Sequence, residues 1–308
     1  MKRFAFLLVS LLLLAALGPS AFGQSLPART FVSGNGLDNN VCSQNDPCST
    51  FGAAIAVTAP GGEVVALDSA IYKQFQINQA VSIVAEPGAY PVISFSTGDG
   101  IDVNAGVAVV LRGLSINSQG STGSGIALNT GGWLHVENCV INGNSSLNGV
   151  GIQVNAHGTL EVKDSFVRGN LTGIVVSPAS GTATASLDHV RIEGNRGGAL
   201  LAMGGSQVVI RDSVASSNGR GLAAISQNGS PAELSIENCL SSQNIEGVYV
   251  QSTSSGLATV RVSNSILVDN LYGFNNAGGT AQILSRGNNT VEGNGPDQGP
   301  AIGSYSAR

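Results

Sequence analysis

An asparagine recurs at positions 144, 170, 195, 218, 244, 270 and 294 of this 308-residue chain, at intervals of 23 to 26 residues. Each closes the same short pattern: an alternating segment, an Asn or Asp, a small residue, then the second Asn, followed by Gly and another alternating segment. Leu134-His135-Val136-Glu137-Asn138-Cys139 leads to Asn144, and Leu160-Glu161-Val162-Lys163-Asp164-Ser165 leads to Asn170. Copies centred on Asp212, Asn238, Asn264 and Asn288 lead to Asn218, Asn244, Asn270 and Asn294, and a less regular copy at Asp188 and His189 leads to Asn195. Apolar-polar alternation is the period of a strand, and one repeat holds three short strands and three turns. A unit of that size cannot bury its own apolar face, so successive copies must stack. Leucine-rich repeats have similar periods but need a leucine-dense consensus and a helical return, and neither occurs here. Weaker copies run earlier, through Val81-Ser82-Ile83-Val84 and Val109-Val110-Leu111-Arg112-Gly113, which brings the expected total to about nine or ten coils.

Stacking predicts columns of like residues. One inward column reads Ile126, Ile152, Ile174, Ala199, Leu222, Val248 and Phe274; another reads Ile141, Val167, Ile192, Ala215, Ser241, Leu267 and Val291. The neighbouring outward column is expected to be Ala127, Gln153, Val175, Leu200, Ala223, Tyr249 and Asn275, with no Asp, Glu, His, Lys or Arg among them. Glu137, Lys163, Asp188, Arg211 and Glu237 fall at equivalent outward positions with alternating sign, which favours correct register over slipped pairing. The Asn or Asp before the small residue marks a sharp bend, where a side-chain amide can satisfy backbone groups and bond to its counterpart one coil away. An asparagine ladder at that bend is a feature of the fold, not of catalysis.

The succession Leu-x-Val-x-Asn-Cys/Ser, Asn, Gly-Ile-x-Val resembles the right-handed parallel β-helix repeats of the pectate-lyase-like superfamily, over roughly residues 61–295. The resemblance implies an all-β fold, a right-handed single-stranded parallel β-helix solenoid. The superfamily includes lyases, hydrolases, epimerases, adhesins and non-catalytic proteins, so fold alone does not imply function. Its enzymes build sites on the outer face of one sheet from clustered Asp residues, or from calcium with Arg or Lys. Their motifs are absent here: there is no Asn-Thr-Asp, Asp-Asp, Gly-His-Gly or Arg-x-Pro-x-x-Arg, and Arg191-Ile192-Glu193 is only a partial echo of Arg-Ile-Lys. Gly-x-Ser-x-Gly, His-Glu-x-x-His and the P-loop pattern are absent too.

Ahead of the coils, Lys2 and Arg3 precede an apolar run from Phe4 to Leu17, and Ala21 and Gly23 suit cleavage before Gln24. Residues 1–23 therefore read as a secretory signal peptide, and the mature chain is expected to be secreted or periplasmic. No later segment is long and apolar enough to cross a membrane as a helix. Losing Lys2 and Arg3 takes the formal charge from −5 to −7, and without a basic face no nucleic-acid partner is expected. Residues 24–60 read as an N-terminal cap: a cysteine loop, then a short amphipathic helix started by Ser49 or Thr50 and stopped at Pro60-Gly61. Such a lid covers the apolar end and unpaired strand edges of the first coil. Residues 61–295 form the β-helix and 296–308 a loose tail.

Candidate chemistry is sparse. No catalytic residue, cofactor or metal site is assigned, since Cys42 and Cys48 have no nearby histidine to complete a zinc set. His189 occupies a turn position, and His135 should stack near Glu161 with His157 in the preceding loop. Trp133, Tyr249 and Tyr272 stand where aromatics can stack on sugar rings or fill gaps at turns. The expected contact face comprises Gln153, Val175, Leu200, Tyr249 and Asn275, with Trp133 and Tyr272 as additional aromatics. The reading favoured is a non-catalytic protein binding polysaccharide or another cell-surface partner along that face. A divergent polysaccharide lyase or glycoside hydrolase and a surface adhesion protein are the alternatives. The cysteines give a first test. Cys42 and Cys48 have the spacing of a small disulfide-closed loop, whereas Cys139 and Cys239 share a column four coils, or ~19 Å, apart, too far to bond. Thiol titration under denaturing, non-reducing conditions should find two free groups per chain; none or four would defeat the assignment.

Overall fold

In the computed structural model, which describes residues 25–297 and 299–306, the chain winds through three parallel sheets. The signal-peptide expectation lies outside the described residues. Each coil lays a strand in a first sheet (Trp133–Glu137, Gly158–Lys163, Ala183–Asp188), then in a second (Val140–Asn142, Phe166–Arg168, Arg191–Glu193) and a third (Val150–Val154, Thr172–Val176, Gly198–Met203). The sheets hold twelve, ten and nine strands, giving nine complete coils and part of a tenth, as the repeat predicted.

The inward columns are continuous. In the second sheet Ile141, Val167, Ile192, Ala215, Ser241, Leu267 and Val291 pair in register. The polar exception, Ser241, donates its hydroxyl to the Gly247 carbonyl at 2.8 Å. In the third sheet the column reads Ile126, Ile152, Ile174, Leu200, Leu222, Val248 and Phe274. That corrects one expectation: Leu200, not Ala199, pairs in this column, and Leu201 takes the outward position expected of Leu200, while Ala199 is buried beside the column. The cause is one extra residue in the turn Asn195-Arg196-Gly197-Gly198, where the Gly197 and Gly198 amides both reach the Leu171 carbonyl. A one-residue slip in a strand exchanges its two faces.

The ladder sits at the second asparagine. Asn195 donates its backbone N–H and its Nδ2 to Oδ1 of Asn218 at 2.9 and 3.0 Å, and Asn218 does the same to Asn244. The pattern continues from Asn244 to Asn270 and on to Asn294. The residue before the small position, where a ladder was expected, instead takes the left-handed turn. Its φ values run from 48° to 54° at Asn138, Asp164, His189, Asp212, Asn238 and Asn264, a conformation that Asn, Asp and His tolerate best. Only near the C-terminus do these side chains also bond to one another, Asn264 to Asn238 and Asn238 to Asp212. Just behind them, the hydroxyls of Ser165, Ser213 and Ser265 accept from the amides of Cys139, Val190 and Cys239 one coil back.

Both free cysteines are buried, and burial pushes the Cys139 thiol up to about 12 and that of Cys239 to about 11. The charged column stands as expected and extends back to Arg112. Its alternation resolves into two ion pairs at 2.7 Å, Arg112 with Glu137 and Arg211 with Asp188. Lys163 lies 3.9 Å from Asp164, and Glu237 accepts from the Ser263 hydroxyl.

The N-terminal segment closes the first coil. Strand Arg29–Val32 pairs with Gly62–Ala66 in the first sheet, and Cys42 is bonded to Cys48. Thr50 caps the helix Phe51–Val57 by accepting from the Ala53 amide at 3.2 Å. Its Phe51 ring stacks on Phe75 with centroids 4.8 Å apart. At the other end Gly303–Ser304 adds a short strand to the first sheet. Replacing Asn218 by Ala would strand the Asn195 amide and the carbonyls of Ile192 and Ser216. The expected loss is about 2–4 kcal/mol, against about 1 kcal/mol for the exposed turn variant Asn238→Ala. Denaturant unfolding of the two compares them, and equal losses would deny the ladder its structural role.

Candidate functional site

On the outer face of the third sheet one column reads Gln76, Asp102, Ala127, Gln153, Val175, Leu201, Ala223, Tyr249 and Asn275. Two features differ from expectation. The column is not free of ionisable groups, because the weak early repeats hid Asp102, whose carboxyl is pushed up by burial and by the neighbouring Asp99. Arg220 and Glu246 also share the face, three residues before Ala223 and Tyr249 on the same strands. The Arg220 guanidinium lies 4.2 Å above the Tyr249 ring and pairs with Glu246 at 3.0 Å. Glu246 accepts in turn from Asn275 Nδ2 at 3.0 Å, and the Tyr249 hydroxyl donates to Gln251.

Tyr249 therefore points outward yet is only 4% exposed, packed with Ala223 and Ile225 under Arg220. Asn275 is buried in the same network, Tyr272 is half-buried beside Glu246, and Gln153, Val175 and Leu201 stay half-buried on the strip. This face is largely covered by its own side chains. Trp133 lies elsewhere, on the first sheet, with its ring stacked on His135 at 5.5 Å. His135 bridges Glu137 at 3.5 Å and Glu161 at 3.2 Å, whereas His157 packs at a turn against Gly131 and Gly181.

Trp133 begins a row that sequence reasoning missed. Thr159, Thr184, Gln207, Glu233 and Thr259 follow it in register, one per coil, on the outer face of the first sheet. Each stands eleven residues before a ladder asparagine, so the signal was present in the repeat. Beside it runs the column Glu161, Ser186, Val209, Ser235 and Arg261. Between them lies an open trough of about 440 Å³, lined by Thr159, Thr184, Ser186, Gln207, Val209, Glu233 and Ser235.

The turns that lead into these strands differ in length, 177–182, 204–205 and 227–231. Gln227 reaches across the short middle turn to the Ser177 hydroxyl at 3.4 Å. A side chain at Gly204 would come within 2.7 Å of the Gln227 carbonyl, so that crossing requires glycine. Thr159 and Thr184 share a hydrogen bond of 3.1 Å, while the Gln207, Ser186 and Ser235 side chains bond to no other group among the described residues. They are free to meet ligand hydroxyls. Asp188, His189 and Asp212 bring potential metal-ligand atoms within 4.8 Å of one another, but Asp188 is already engaged by both His189 and Arg211.

A family model described as "Right handed beta helix region" matches residues 124–294. Among solved structures, a pectate lyase, Pel9A, superposes with a TM-score of 0.67 at 18% identity, covering 91% of this chain and 78% of that one. An alginate lyase from Paenibacillus sp. str. FPU-7 gives a TM-score of 0.48 at 14% identity over 91% and 98% of the two chains. A rhamnogalacturonan lyase gives 0.47 at 15% identity over 83% and 72%. No curated protein matches in sequence. At these identities the likeness is one of fold.

The burial of Tyr249 carries its own test. Tyr249→Ala should cost about 2–4 kcal/mol in denaturant unfolding, as an interior aromatic does, with part of the loss from the guanidinium above the ring. A cost near zero would mean that the ring is not packed as described.

Proposed function

Because the chain belongs to the right handed beta helix family, we propose that it is a secreted or periplasmic non-catalytic protein that holds an extended polysaccharide, or the glycan of a cell-surface partner, along its outer face. The observation that carries this reading is the open trough of the first sheet, with its row of one hydrogen-bonding side chain per coil. Successive strands are ~4.8 Å apart, a spacing of the same order as the rise of one sugar unit in an extended polymer. Val209, 46% exposed between Ser186 and Ser235, offers an apolar patch for the C–H face of a sugar ring, and Trp133 stands at the end of the row. Gln153, Val175 and Leu201 on the third sheet, with Tyr272 at its end, offer a second and flatter contact for the same partner. The Cys42–Cys48 disulfide suits an oxidising compartment. A pectate lyase with the same fold supports a sugar polymer as the class of ligand.

A divergent polysaccharide lyase or hydrolase is the second reading, favoured by the imidazole of His135 held between two carboxylates beside Trp133. Affinity electrophoresis and a cleavage screen on one panel of polysaccharides separate the two. Binding should occur without cleavage, and Thr184→Ala with Gln207→Ala should weaken retention by about tenfold, the loss of two or three modest hydrogen bonds. Release of reducing ends or unsaturated sugars, abolished by His135→Ala, would establish the enzyme instead. Retention lost through Leu201→Asp but not through the trough variants would move the contact to the third sheet.

A further inference from the structure

We infer that the trough of the first sheet selects an uncharged, hydroxyl-rich glycan and rejects polyuronates; this rests on the trough being the glycan site. Without a bridging divalent cation, recognition of a uronate polymer calls for cationic side chains aimed at the ligand, best of all the planar fork of arginine. Of the residues lining the trough, the only charged one is Glu233, and it is an acid. The cations on the same face are turned to acids of the protein. Arg112 is held by Glu137 and Arg211 by Asp188, each at 2.7 Å, and Arg261 by Glu233 at 3.2 Å. Lys163 lies beside Asp164 at 3.9 Å.

The acids outnumber these cations. Glu161 stands one strand from Ser186 in the floor column, and Glu237 adds a further carboxylate that no arginine or lysine pairs with among the described residues. A polymer with one carboxylate per sugar would lay its charges within two strand spacings, ~9.6 Å, of Glu161 or Glu233. That is inside the screening length of ~10 Å at moderate salt, so the repulsion is felt along the whole trough.

What the floor does offer matches sugar hydroxyls. Gln207 presents both an amide donor and a carbonyl acceptor, and Ser186 and Ser235 each present a hydroxyl, all without protein partners among the described residues. Thr159 and Thr184, bonded to one another, keep spare acceptor capacity. Exposed Val209 between the two serines adds the apolar step that a pyranose face covers.

The test uses the full mature chain and calorimetric titration with hexasaccharides of glucose, mannose and xylose, β-1,4-linked, beside hexagalacturonate. At least one uncharged hexasaccharide should bind, and hexagalacturonate should bind about tenfold more weakly at low salt, the gap narrowing as salt rises. Gln207→Arg, an exposed change outside the core, should raise hexagalacturonate affinity by about tenfold while weakening the uncharged ligand. If hexagalacturonate binds as tightly as any uncharged sugar, and Thr184→Ala weakens that binding, the selectivity is overturned and the site stands. Binding of no hexasaccharide, or binding indifferent to Thr184→Ala and Gln207→Ala, would overturn the site and with it this inference.

Discussion

The side-chain amides of Asn170, Asn195 and Asn218 are each bonded to the next coil and to two backbone carbonyls at once, and the rest of the architecture depends on the ladder they belong to. Asn218 illustrates it: Nδ2 reaches Asn244, Ile192 and Ser216, while Oδ1 receives two donors from Asn195. A turn inside a solenoid has backbone groups with no strand partner and no water, and leaving them bare is costly. A side chain that both donates and accepts along the stacking axis solves the problem once and then repeats. Stacked amides also polarise one another in the same direction. Register follows, since a coil that slipped would break the ladder and the apolar columns together.

Given that register, the two wide outer faces have diverged by what their columns contain. On the third sheet, Arg220, Tyr249, Glu246 and Asn275 meet across three coils and close over one another, so polar groups there are spent on the protein itself. On the first sheet the ion pairs stand beside or at one end of the trough, and its middle is left with Gln207, Ser186 and Ser235 unengaged among the described residues. Both arrangements use the same strand spacing. What separates them is where the opposite charges fall: Arg220 and Glu246 pair directly over Tyr249 on the third sheet, whereas on the first sheet Arg211 and Asp188 pair to one side of the trough.

Much of this was legible from the repeat alone. The coil count, most of the apolar columns, a helix cap at Ser49 or Thr50, the cysteine pairing and the alternating charges follow from residue type and spacing, and in the structure Thr50 is the cap. The failures share one cause, which is that spacing along the chain does not show what the next coil does. A fixed offset from Asn195 places Ala199 in the column position that Leu200 occupies, because Gly197 and Gly198 admit an extra residue that leaves no mark in hydrophobicity. Tyr249 is accessible only if outward is equated with exposed, and the neighbouring coil lays Arg220 across it. The trough escapes sequence reasoning in a related way: Thr159, Thr184 and Gln207 are ordinary surface residues singly, and become a feature only when stacked.

The strand spacing that builds the row also acts as a ruler that the protein cannot adjust. Coils are locked to a pitch of ~4.8 Å by their ladders and sheets, and a polymer brings a repeat of its own. If a polymer lies along the row of Thr159, Thr184, Gln207 and Glu233, two rulers of slightly unequal division agree at one mark and drift apart on either side, and four successive coils sample only the marks nearest that agreement. Lengthening the solenoid by further identical coils would therefore add marks out of phase, not grip. Specific recognition on such a scaffold is confined to a few coils, and the remaining coils serve to hold that interval straight.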